Sequence, residues 1–280
     1  MTTLVAWVGA DQRGPASLNI VSDSRISKGV TGVQTWDYGR KTFASRTTAD
    51  IFGYVDDVLF PSIMLGQIVN MLDSGCLYSN DTPASERFDI IFKHIEYSFN
   101  AYSDAMKHPF SIIHATREHE KMSSIFKLNV ITAYKTKSSN PEWVIVQKAL
   151  QVPNTSSSLI IEGSGVAIAK KWSERWDSSS QGNTSRAVFS GFCDAVFSGE
   201  DRFTYGAPQI VSLYRIGLGR TIGFVNDGLA YYSGAEVLSV AKGDLTNIDW
   251  RNRLFERCDA EGHLLAGAQK HHAPKGLGAT

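Results

Sequence analysis

Cysteine is scarce. The chain has three in 280 residues, Cys76, Cys193 and Cys258, and no two stand in C-x-x-C spacing. That excludes a disulfide framework and a zinc ribbon, and it fits a reducing compartment. Long hydrophobic runs are missing too. No stretch approaches the ~18 consecutive apolar residues of a membrane span, and the amino terminus lacks the basic-then-apolar order of a secretory leader. The expected location is therefore the cytoplasm, where the N-x-S/T triplets at Asn80, Asn154 and Asn183 are chance matches. Nor is one sign of charge in excess, since Lys plus Arg and Asp plus Glu each number 28. No global field draws the chain to a polyanion or an anionic surface, so neither nucleic acid nor membrane is expected as a partner.

Several cofactor signatures are absent as well. His114 and His119, with Glu118 and Glu120, lack the H-E-x-x-H spacing of a helical metal site. His263, His271 and His272 fall in a polar tail and read as solvated. Gly217-Leu218-Gly219 lies between two strand-like runs, which suits a hairpin and not a dinucleotide fold. Trp172, Trp176 and Trp250 read as packing or subunit-contact residues. No cofactor and no metal is expected.

What is present is a well-patterned globular chain, 42% hydrophobic and 20% charged. Strand-like runs at 3–9 and 17–22 flank a polar turn and suggest a hairpin that delivers Ser22-Asp23-Ser24-Arg25 at its far end. A polar, Gly-rich stretch from 28 to 39 follows, then short strands at 41–44 and 50–55. Helical spacing predicts a helix over 58–72, with Pro61 in its first turn and Gly75 past its end. A second helix is expected from Thr82 as N-cap, with Pro83 at the first helical position, to about Met106. Strands follow at 110–115, 125–134, 143–152 and 159–162. Two further helices are expected at about 166–177 and 184–198, and strands at about 208–216, 220–226 and 229–233. Strands, two helices, strands, two helices, strands is the order of two packed antiparallel sheets, each with a helix pair outside it. Residues 1–242 are read as one domain. Residues 243–280 are read as a loosely ordered or subunit-contacting extension.

The candidate chemistry begins at the second residue. Thr2 follows the initiator methionine directly, and aminopeptidases remove methionine ahead of small residues. A threonine hydroxyl is a weak nucleophile unless a base lies within reach. A freed α-amine, titrating near pH ~8, would supply that base on the same residue.

With Thr2, the turn Asp23-Ser24-Arg25-Ile26-Ser27 and Lys41 in view, the chain resembles the proteasome β-type and HslV-like subunits of the N-terminal nucleophile hydrolases. Gly163-Ser164-Gly165 and Asp201-Arg202-Phe203-Thr204-Tyr205-Gly206 extend the resemblance, which runs from Thr2 to about Gly234. It implies a four-layer αββα sandwich of two antiparallel sheets. It also implies a threonine peptidase acting through an acyl-enzyme on Thr2, a self-compartmentalising ring of identical subunits, an unfolded-protein or peptide substrate, and an ATPase unfoldase as a possible partner. Lys41 would lower the hydroxyl's pKa, Asp23 would hold its ammonium, and Ser164 would bond the α-amine. Asp201 and Thr204 would orient Ser164 and the amine, and Ser27 would line the substrate channel. Asp56 stands where the family has an oxyanion-hole glycine, and Thr204 stands where serine is usual. Two other readings are carried forward: a small-molecule amidase of the same fold, and a non-catalytic ring subunit.

Overall fold

The computed structural model describes residues 2–28 and 34–277. Met1, residues 29–33 within the Gly-rich stretch, and the last three residues of the extension lie outside them. The amino-terminal part holds β1 (Thr3–Asp11), β2 (Gly14–Ser22), β3 (Ile26–Lys28), β4 (Gln34–Trp36), β5 (Thr42–Ala44) and β6 (Asp50–Asp56). Helices α1 (Leu59–Asp73) and α2 (Ala84–Ala101) follow. After them come β7 (Phe110–Glu118), β8 (Ile125–Lys135), β9 (Trp143–Leu150) and β10 (Ser157–Gly163). Then α3 (Val166–Asp177) and α4 (Ser185–Phe197) lead to β11 (Gln209–Tyr214), β12 (Arg220–Asn226), β13 (Leu229–Tyr232), β14 (Ala235–Glu236), β15 (Trp250–Arg251) and β16 (Arg257–Cys258).

β1 explains why its sequence is apolar without alternation. Leu4, Ala6 and Val8 enter a core shared with Ile51 and Val55 of β6 and Ile113 and Ala115 of β7. Val5 and Trp7 enter another, with Phe189 and Phe192 of α4. Both faces of the strand are buried, so both must be apolar. A third core sets Phe52 and Tyr54 of β6 against Leu65 and Ile68 of α1 and Ile91 and Ile95 of α2. Gly53 lets the sheets approach closely, since a Cβ there would lie 2.7 Å from Leu4 Cδ1 and 2.8 Å from Ile20 Cγ2.

The expected four-layer αββα sandwich of two antiparallel sheets needs correcting. The described residues form three sheets and only four α-helices, so the chain is mostly β. β10-β1-β2-β11-β12-β13-β14 form one sheet, which β15 and β16 complete to nine strands. β5-β6-β7-β8-β9 form a second, and β3-β4 a third of two strands. The largest sheet is not wholly antiparallel either, because β15 runs parallel to β12. The physical reason lies in segments without strong periodicity. The 26–36 stretch pairs with itself, and the region after 243 adds two short strands. Trp250, 2% exposed, anchors that region. Its ring packs on Gly223, where a Cβ would come within 2.2 Å.

Two boundaries also differ. α2 starts at Ala84, with Pro83 in the N-cap position and no side-chain cap from Thr82. Glu118 Oε1 accepts the Ala84 N–H at 2.6 Å, so a carboxylate from a distant strand caps the helix. The helix ends at Ala101, and 104–106 form a separate 3-10 turn. Among the described residues no helix is long and apolar enough to cross a membrane.

Candidate active site

Antiparallel pairing sets Thr3 opposite Gly163 and Leu4 opposite both Glu162 and Ser22. The first residues of β1 therefore lie between the end of β10 and the end of β2, and the chain turns sharply on either side of them. Gly163 has φ +103°, and a Cβ there would strike the Thr2 carbonyl oxygen at 1.7 Å. Only glycine permits that approach. The Thr2 carbonyl accepts the backbone N–H of Ser164 at 2.9 Å. Thr2 itself is fully buried, and its Oγ1 has no hydrogen-bond partner among the described residues.

Asp23 and Lys41 meet beside it. Lys41 Nζ donates to Asp23 Oδ1 at 2.9 Å and to the Arg25 carbonyl at 2.6 Å. Both side chains are wholly buried. The same Oδ1 accepts the Thr3 N–H at 2.9 Å. Oδ2 accepts the N–H groups of Arg25 at 3.0 Å and Tyr205 at 3.3 Å. Burial raises the Asp23 carboxyl above its ordinary value, opposed by the Lys41 charge and by the hydrogen bonds it accepts, which favour the ionised form. Burial pulls the Lys41 ammonium below the ordinary lysine value, with Asp23 opposing.

The sequence does not mark the residue that holds this pair in place. Gln209 Oε1 accepts the N–H of Lys41 at 2.7 Å and of Thr42 at 3.1 Å. Its Nε2 lies 3.0 Å from the Asp23 carbonyl and 2.8 Å from the Gly39 carbonyl. One buried amide thus ties the Asp23 turn to the Lys41 strand. Nothing in the local sequence of β11 signals that role. Contact is made only across the sheet.

Asp201 and Thr204 are brought together, but they reach a different group from the one expected. Thr204 Oγ1 donates to Asp201 Oδ2 at 2.7 Å and shares a 2.6 Å hydrogen bond with Thr3 Oγ1. The pair therefore orients Thr3, not Ser164. Gly165 makes the room, since a Cβ there would lie 2.1 Å from Thr3 Oγ1 and 2.8 Å from Asp201 Oδ2. Ser164 contacts Thr2 through its backbone, and its side chain is exposed. Ser27 sits on β3 opposite Thr35, its hydroxyl without a partner among the described residues, and nothing ties it to Thr2.

Asp56 ends β6 with φ +72°, the left-handed conformation that a glycine adopts without strain. Its side chain reaches solvent, while the surrounding protein desolvates the carboxyl enough to raise it above the ordinary value. Glu162 is raised as well, first by burial and also by the Asp56 charge, with Ser111 opposing through a hydrogen bond. Two carboxyls are thus crowded near the start of β1. His114, one of the histidines weighed as a ligand, is committed elsewhere. It is buried, bonds Asp50 Oδ1 through Nε2 at 2.8 Å and stacks on Phe52.

No protein-family model matches this chain, and no curated protein does. Among solved structures it is similar to the Anbu (ancestral beta-subunit) of Yersinia bercovieri, at 10% identity, covering 76% of this chain and 82% of that one, with a TM-score of 0.47. The expected membership of the proteasome β-type and HslV-like subunits is not upheld, since no family model matches and likeness at 10% identity assigns no family. The motifs that suggested membership are a few residues each.

Proposed function

We propose that the chain is an N-terminal-threonine amide hydrolase that cleaves peptide bonds once Met1 has been removed. One observation carries the reading: Asp23 Oδ1 binds both the Lys41 ammonium and the amide that joins Thr2 to Thr3. A buried cation is thereby held beside the backbone of the candidate nucleophile, where desolvation strengthens its effect on the hydroxyl. In the proposed reaction Thr2 Oγ1 attacks the substrate carbonyl while the free α-amine takes the hydroxyl proton. The C–N bond then breaks and the leaving amine departs with that proton. Water hydrolyses the ester that remains and restores the hydroxyl. The oxyanion would take the backbone N–H of Asp56, whose own carboxylate opposes it, since the Asp57 N–H is already given to the Pro109 carbonyl.

Proposed with this is a self-compartmentalising homo-oligomeric ring in the cytoplasm, acting on peptides or unfolded chains and supplied by an ATPase unfoldase. Leu59 and Ile63, both about half exposed on α1, support self-association. The test compares turnover of fluorogenic peptides by the purified chain and by Thr2→Ala. Loss of cleavage with assembly retained supports the proposal, and unchanged cleavage rejects it. A panel of simple amides distinguishes a small-molecule amidase. Thr2 is fully buried in the Met1-bearing chain, and this favours a second reading, a non-catalytic ring subunit. Retention of Met1 in the intact mass would support it.

A further inference from the structure

A cleft of about 680 Å³ lies between the C-terminal half of α1 and the β12–β13 hairpin. Its walls include Arg40, Arg46, Asp73, Arg220, Tyr232 and Asp249. The two carboxylates are already committed. Asp249 pairs with Arg220 at 3.0 Å. Asp73 Oδ1 accepts the Ser45 hydroxyl at 2.7 Å and the Arg46 N–H at 2.8 Å. Two of the three cations are not.

Arg40 is held in one orientation. Its Nε–H donates to the Thr42 carbonyl at 3.1 Å, and its guanidinium lies 4.1 Å from the centroid of the Phe43 ring. Those contacts occupy one N–H and one face. The terminal amino groups have no acceptor among the described residues. Arg46 lines the same cleft and enters no ion pair among the described residues either. An exposed arginine alone is ordinary. Arg40, with its terminal amino groups free, and Arg46, with no ion pair, line one cleft whose three arginines outnumber its two carboxylates, and such an excess of guanidinium is what planar and tetrahedral oxyanions fill.

We propose that this cleft binds a small dianion, a phosphate monoester or a dicarboxylate, on the guanidiniums of Arg40 and Arg46. Tyr232, Ser233 and Asn247 add donors at its rim. The site is separate from Thr2, and binding there does not depend on threonine chemistry.

Titration calorimetry of the full chain with phenyl phosphate and with succinate, at constant ionic strength, tests it. The expected result is saturable binding of at least one probe. It should be weakened about tenfold or more, roughly 1.4 kcal/mol, by Arg40→Gln and by Arg46→Gln, and not by Lys127→Gln on β8. The tighter probe identifies the group, phosphate or carboxylate. Arg46 is exposed, so its substitution does not threaten the fold. Heat no greater than that of added chloride, or binding that neither arginine substitution weakens, would overturn the proposal. So would an equal loss in Lys127→Gln.

Discussion

Asp23 Oδ1 accepts two hydrogen bonds of equal length, 2.9 Å, from the Thr3 backbone and from Lys41 Nζ. The carboxylate is therefore both a structural clamp on the start of β1 and the counter-ion of a buried ammonium. Asp23→Asn keeps the shape and an acceptor for Thr3 but leaves Lys41 without its charge partner. Breaking one side of a buried pair costs about 3–5 kcal/mol. Urea denaturation should show that loss, and Asp23→Asn combined with Lys41→Met should recover part of it. Equal stability of the two variants would mean that the Lys41 ammonium costs nothing once its partner is neutral, contrary to this account.

Gln209 offers a separate test of how the pair is positioned. Gln209→Ala removes the acceptor of the Lys41 and Thr42 amides, and each buried amide left unsatisfied costs about 1–3 kcal/mol. Turnover should fall further than stability explains, because Asp23 and Lys41 are no longer held in register. A variant with wild-type turnover per folded molecule would remove Gln209 from the site.

Gly165→Ala should break the Thr3–Thr204 bond, since the added methyl falls 2.1 Å from Thr3 Oγ1. The obstructing atom ends a side chain that can rotate, so the protein should fold, destabilised by about 1–3 kcal/mol. Gly163→Ala meets backbone instead, at 1.7 Å with φ +103°, and should not accumulate as folded protein. Comparable yields and melting temperatures for the two variants would contradict this geometry.

Much of this site can be read in the sequence, and the residues show where reading stops. Thr2 stands out because it follows the initiator methionine, whereas Asp23 and Lys41 stand out only through the resemblance to the N-terminal nucleophile hydrolases and by themselves read as an ordinary surface ion pair. Gln209 carries none, since its partners at 23, 39 and 41 are met only when β11 pairs with β2. Thr3 is indistinguishable from any β-branched strand residue until Thr204 is seen against it. Trp250 reads as a lone aromatic in a weakly patterned tail, and its place on Gly223 is a tertiary fact. The cap on α2 fails for the same reason, with Glu118 arriving from β7 where Thr82 was expected. The two-sheet reading misjudged segments whose strands are two or three residues long, too short for a period to register.

Asp56 makes a pH-dependent contribution with a definite sign. A carboxyl whose pKa is raised in the fold contributes stability that is complete below its unfolded value and lost as pH rises through the folded value. The window opens at the ordinary 3.8 and extends upward. Because the Asp56 side chain is exposed and its charge is screened by solvent, Asp56→Asn should flatten that part of the stability profile only slightly, raise stability at neutral pH by a small amount and lower the pKa of Glu162. Asp56→Gly should add about 1 kcal/mol more by relieving the left-handed backbone. Urea midpoints across a pH series check both, and an unchanged slope in Asp56→Asn would contradict the assignment.

The most direct measurement treats the purified chain with a threonine-directed boronate or epoxyketone and maps the adduct by mass spectrometry. The account predicts a chain lacking Met1, a single adduct on Thr2, and no adduct in Lys41→Ala that has retained its fold. A chain that keeps Met1, or one that hydrolyses peptides while Thr2 stays unmodified, would contradict it.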